Sequence, residues 1–132
     1  MCSSDLIISS MHEIRIGSRV LISHSVQLSD HTSHSLDPVE RHRHFLQIIS
    51  DQQIQSWDEL PGVRSAPIVI EDDVWIGFGC TIMKGVGIGR GSVIGARSIV
   101  THDVEPGMLY LNEVHPKIRP LSEAGPTRDD EC

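Results

Sequence analysis

Stepping by six from Ile70 lands on Ile76, Ile82, Ile88, Ile94 and Val100 without a miss. Ile and Val together make up 27 of the 132 residues. Six such hits in one phase would arise by chance with a probability on the order of 1 in 10,000. Four residues after each hit come Val74, Cys80, Val86, Ser92, Ser98 and Val104, all small or medium and mostly apolar. A shorter block repeats the step at Ile16, Ile22 and Leu28. Two repeat blocks, about 16–33 and 68–105, thus flank a segment without the period.

Six is neither a helical period nor that of a simple hairpin. It is even, so positions i and i+4 face the same side of extended backbone. A short extended run followed by a tight corner, repeated three times, closes one turn of a parallel β-solenoid with position i stacked inside. Gly17, Gly77, Gly89 and Gly95 directly follow an inward residue, where a corner calls for positive φ or close backbone approach. The second block gives two coils and the first adds one. Antiparallel hairpins would not hold one phase across the 36 residues of the second block. The crossover rule for parallel strands taken alone favours a right-handed coil.

Composition narrows the class. A formal net charge of -7 disfavours nucleic acid as a partner. Three widely spaced cysteines (Cys2, Cys80, Cys132) fit a reducing, cytoplasmic setting without a disulfide framework. Cys80 falls on an inward position and reads as core. No stretch reaches the ~20 apolar residues of a membrane span.

Two stretches, IRIGSRVLISHSVQLSDH (Ile14–His31) and APIVIEDDVWIGFGCTIMKGVGIGRGSVIGARSIVTHDVEPG (Ala66–Gly107), resemble the hexapeptide-repeat acyltransferases. The likeness is to their sugar and lipopolysaccharide O-acetyltransferase branch. It implies a left-handed parallel β-helix, a homotrimer with sites between subunits, and acetyl transfer from acetyl-CoA to a carbohydrate hydroxyl. It also implies that His31, the first histidine after the coil ends, is the general base, with Asp30, His34 and Trp75 around the substrate. Neutral imidazole suits that task, because a sugar hydroxyl attacks only as its proton is removed. For the coenzyme the resemblance implies the Gly77–Phe78 turn, with the Phe78 N–H as oxyanion donor, then Ala96 and Thr101 along the pantetheine, and Lys117 and Arg119 for the phosphates. By alternation Trp75 and Lys84 point out of the prism, Lys84 as a solvated lysine.

The inserted loop, about 30–66, carries four of the eight histidines: His31, His34, His42 and His44. His42 and His44 read as solvated. Four histidines so close also raise zinc, as in the gamma-class carbonic anhydrases. Those need further histidines in the later repeats, where the second block offers His102. The expectation is therefore no metal, with a zinc lyase or an inactive solenoid as alternatives. Phe45, Leu46, Ile48, Ile49 and Ile54 suggest a short helix or arm over the acceptor pocket. Residues 1–121 read as one β-helix domain with a partial first coil, and 122–132 as a disordered tail.

Overall fold

The computed structural model describes residues 5–50 and 60–121, which wind into a left-handed parallel β-helix. Three sheets form its faces. The first holds β1 (Ile7–Ser9), β4 (Gln27–Ser29), β7 (Thr81–Ile82) and β10 (Ile99–Val100). The second holds β2 (Ile14–Ile16), β5 (Ile68–Ile70) and β8 (Gly87–Ile88). The third holds β3 (Leu21–Ile22), β6 (Trp75–Ile76), β9 (Val93–Ile94) and β11 (Leu109–Tyr110). Every strand pairing is parallel.

The six-step residues are the rungs of the core. Leu28 pairs with Ile82 and Ile82 with Val100 on the first face; Ile22, Ile76 and Ile94 align on the third. Ile70 through Val100 in this phase are at most 1% exposed, and their i+4 mates Val74, Cys80, Val86, Ser92, Ser98 and Val104 are buried with them. Each fully buried Ile or Val contributes about 1.5–3 kcal/mol relative to an exposed one. The two inward serines are satisfied: Ser98 Oγ donates to the Gly95 carbonyl at 2.6 Å and Ser92 Oγ to the Glu105 carbonyl at 2.8 Å.

The two demands of the corners separate. Positive φ falls three residues after the rung, at Asp73, Gly79, Gly85, Gly91 and Arg97. Glycine directly after the rung answers close approach instead. A Cβ on Gly77 would sit 2.7 Å from the Ala96 nitrogen and 2.9 Å from the Ile94 carbonyl oxygen of the next coil.

The prism has four tiers, one more than the three coils the repeat predicts. Ahead of the Ile16, Ile22 and Leu28 coil lies one further strand, β1, which pairs with β4 over its whole length, Ile8 opposite Leu28. At the other end Val104 bridges to Ile88 and Tyr110 pairs with Ile94. The last coil runs two residues short, so the strict period stops while the fold continues.

The insertion leaves and re-enters at one edge. Thr32 N–H donates to the Arg64 carbonyl, and Ala66 N–H to the Asp30 carbonyl, both at 2.9 Å. It carries one helix, α1 (Pro38–Ile49). Asp37 caps it, accepting from the amides of Val39 and Glu40, and Pro38 opens it. The helix therefore starts earlier than its apolar residues suggest. Residues 51–59, including Ile54, and the tail 122–132 lie outside the described residues. Among the described residues no helix is long and apolar enough to cross a membrane.

Candidate active site

His31 sits where the chain leaves β4, at the edge between the first and second faces. Its Nδ1 accepts the Ser33 backbone N–H at 3.0 Å, and its Nε2 lies 2.7 Å from Ser9 Oγ. A backbone N–H can only donate, so Nδ1 is the unprotonated nitrogen. The neutral ring then carries its proton on Nε2, aimed at Ser9 Oγ. Both nitrogens are engaged, and neither offers a lone pair to a substrate.

A cleft of about 290 Å³ opens beside this ring, lined by Ser9, Met11, His31, His34, His44 and Ile48 among others. His34 is exposed on its wall. His34 Nδ1 lies 3.3 Å from His44 Nδ1, with the rings tilted 55° and centred 5.2 Å apart. His34 Nε2 has no partner among the described residues. The solvated reading of His44 is corrected here: it is 5% exposed, in the middle of α1, and its Nε2 is buried without a partner. One helical turn either side lie Glu40 and Ile48, and Ile48 shares the cleft. His42, in contrast, is exposed and stacks loosely on Phe45 at 6.4 Å.

Asp30 is not among the residues that line the cleft. It is fully buried, and its carboxylate accepts from Ser10 Oγ and from the amides of Met11, His12 and Glu13 at 2.7–2.9 Å. These bonds tie down the corner between β1 and β2, whose residues Ser10 and Met11 line the cleft. Burial on its own raises the Asp30 carboxyl; the Met11 amide, Ser10 hydroxyl and the other two amides outweigh it and hold the group below its ordinary value. The residue positions the wall, and its acceptor capacity is used up inside the fold.

The coenzyme-side residues lie elsewhere on the prism. Trp75 begins β6, points out of the third face at 51% exposure, and its Nε1–H is 3.4 Å from Ser23 Oγ. Leu21 and Val93 flank it in register, and Leu21 is exposed. Phe78 follows at the edge between the third and first faces. Its ring stacks on His24 at 5.3 Å, with the Arg97 guanidinium 5.7 Å from its centre. The Phe78 backbone N–H has no acceptor among the described residues. Gly77 is buried beneath Ala96, and Ala96 is exposed at the same edge. Thr101 lies at the other end of β10, its hydroxyl 2.8 Å from His102 Nδ1. Lys117 is exposed and Arg119 half-buried in the stretch past β11. The sequence reading missed Arg97 and His44. Arg97 could have been found from its place three residues after the rung Ile94, level with Gly79 on the coil before.

Within one chain the two halves do not meet. The histidine cleft is on one edge, the Trp75–Phe78 turn is on another, and the whole first face lies between. Among the described residues no three His, Cys, Asp or Glu side chains are grouped to hold a metal ion.

The family described as bacterial transferase hexapeptide (six repeats) matches residues 67–102. A hexapeptide-repeat acetyltransferase of Vibrio cholerae O1 biovar eltor, solved with acetyl coenzyme A, is 38% identical with a TM-score of 0.61 over 80% of this chain and 48% of that one. A galactoside acetyltransferase solved with coenzyme A is 36% identical with a TM-score of 0.58 over 79% of this chain and 43% of that one. The 2,3,4,5-tetrahydropyridine-2,6-dicarboxylate N-acetyltransferase of Staphylococcus aureus (strain JH9) is 36% identical over 66 residues, 50% of this chain and 28% of that protein. The chain thus spans about half or less of the length of each relative.

Proposed function

From this hexapeptide-transferase coil we propose that the protein moves an acetyl group from acetyl-CoA to a carbohydrate hydroxyl, in a site assembled between neighbouring copies of a homotrimer. The observation that carries the reading is the split site: a histidine cleft on one edge of the prism and an aromatic turn with an unpaired amide on another. Joining them takes a second copy. The exposed Leu21, Trp75 and Leu109 of the third face provide apolar surface for that contact. The coenzyme-bound relatives support the donor, and the galactoside acetyltransferase supports the acceptor class.

We read His34, rather than His31, as the general base, and the hydrogen bonds around the two rings support that reading. His31 has its lone pair tied to the Ser33 amide, whereas the His34 ring lines the cleft with its Nε2 unpartnered among the described residues. His34 takes the hydroxyl proton as the acceptor oxygen attacks the thioester carbonyl. The Phe78 amide of a neighbouring copy donates to the developing oxyanion. When the C–S bond breaks, His34 returns the proton to the leaving thiolate, giving free thiol and ester with no covalent enzyme intermediate. Trp75 walls the site, Ala96 and Thr101 flank the pantetheine, and Lys117 and Arg119 serve the phosphates.

The test is thiol release from acetyl-CoA with a panel of sugars and amino sugars. His34→Ala is expected to lower kcat about 100-fold or more. His31→Ala, which loses a wall residue, is expected to cost less. A larger loss in His31→Ala would return the base to His31. Turnover confined to amines would move the acceptor to the N-acetyl class of the staphylococcal relative. No turnover on any acceptor would sink the transferase reading.

A further inference from the structure

Resting on the reading of His34 as base, we propose that His44 is a positioning residue: its Nδ1 accepts the Nδ1–H of His34 and so leaves the His34 Nε2 lone pair facing the cleft. The two Nδ1 atoms are 3.3 Å apart, so one proton lies between them. Two arrangements satisfy that contact. If His44 donated, His34 would carry its proton on Nε2 and would have a donor there in place of an acceptor. If His34 donates, its Nε2 is a ready acceptor.

The surroundings make His44 a fixed reference. It is 5% exposed, on a helix capped at Asp37 and braced by the Ser35 hydroxyl donating to Glu40 at 2.6 Å. Its other nitrogen is sealed from solvent with no protein partner, so the bond to His34 is the one hydrogen bond this ring makes among the described residues. An unpaired buried group carries a cost. That cost has a counterpart in the reaction. When His34 takes a proton on Nε2, its Nδ1–H becomes a charged donor and the bond to His44 strengthens. His44 thereby favours the protonated base without taking a proton itself.

The experiment combines nitrogen-15 spectra of the full chain with kinetics. Long-range proton–nitrogen correlations at neutral pH report which nitrogen of His34 is protonated. The expected result is Nδ1 in the wild type, with the preference lost in His44→Phe; a wild-type His34 protonated on Nε2 overturns the proposal. In turnover, His44→Phe keeps the shape but lacks the acceptor, and kcat is expected to fall about tenfold. The KM for acetyl-CoA should stay within about twofold. His44→Asn, whose side-chain oxygen reaches the place of Nδ1, is expected to restore most of kcat. Unchanged kcat in His44→Phe overturns the proposal, and so does a loss that His44→Asn fails to restore. If His44→Phe does not fold, the wild-type spectrum and His44→Asn still decide. A wild type without turnover removes the transferase reading, and the spectrum then judges His44 independently.

Discussion

Asp30→Ala removes one carboxylate from a closed corner. Three backbone amides, those of Met11, His12 and Glu13, lose an acceptor at 2.8, 2.9 and 2.8 Å, and the Ser10 hydroxyl loses one at 2.7 Å. A buried donor left unpaired costs about 1–3 kcal/mol. Deleting the carboxylate also removes the cost of burying it, and water reaches part of the vacated space. A net loss of about 3 kcal/mol is therefore expected, less than the four contacts summed. Urea titration at fixed protein concentration measures it, the concentration held constant because association adds to stability. A loss below about 1 kcal/mol would refute the reasoning. Acid supplies a second check. The folded carboxyl is held below its ordinary value. Its stabilisation is thus complete above the unfolded value of about 3.9 and is lost as pH falls from there through the folded value. The gap between wild type and Asp30→Ala should narrow in that window and hold steady above it. A gap that widens on acidification contradicts the assignment.

Gly77→Ala drives a Cβ to 2.7 Å from the Ala96 nitrogen, between two coils that cannot separate independently. Thermal or urea unfolding should show a loss of about 1–3 kcal/mol, and a neutral result would mean the coils are not so closely stacked. Cys80 is fully buried, with its thiol 3.2 Å from the Gly95 carbonyl oxygen. Burial raises it against the opposing amides of Ser98 and Arg97, so it stays protonated and covered. Iodoacetamide at mildly alkaline pH should leave Cys80 unmodified in the native protein and label it in urea, read by peptide mass spectrometry. Rapid native labelling would contradict its place in the core.

The rungs from Ile70 to Val100 were legible because each inward position is fixed by its neighbours six residues away, a short-range signal. The ends of the coil were not. Ile8 reaches Ile16 in eight residues because the corner between them wraps around Asp30, which is about 20 positions away in sequence. Only the folded chain brings them together. Val104 is legible as the i+4 mate of Val100, but it also takes the place opposite Ile88, and the corner two residues short carries Tyr110, which packs against the core, out of the fixed step. The helix had a local signature that apolar counting passed over: Asp37 before Pro38, with Glu40 in the first turn. Once α1 is placed there, His44 falls on the stripe of Glu40 and Ile48, facing the cleft. His31 and His34 were singled out by the family resemblance, His31 as base and His34 beside the substrate. Which of them keeps a free nitrogen depends on the Ser33 amide and Ser9 hydroxyl, a matter of geometry that no spacing reports.

Mixing two crippled variants examines the split site most directly. His34→Ala and Trp75→Ala are each expected to be nearly inactive when pure. Unfolded together at equal amounts and refolded, they form mixed assemblies in which some edges pair an intact His34 with an intact Trp75 from the adjoining copy. Random reassembly predicts recovery to about a quarter of the wild-type rate. A mixture no faster than its two components would place both halves of the site on one chain and contradict the account.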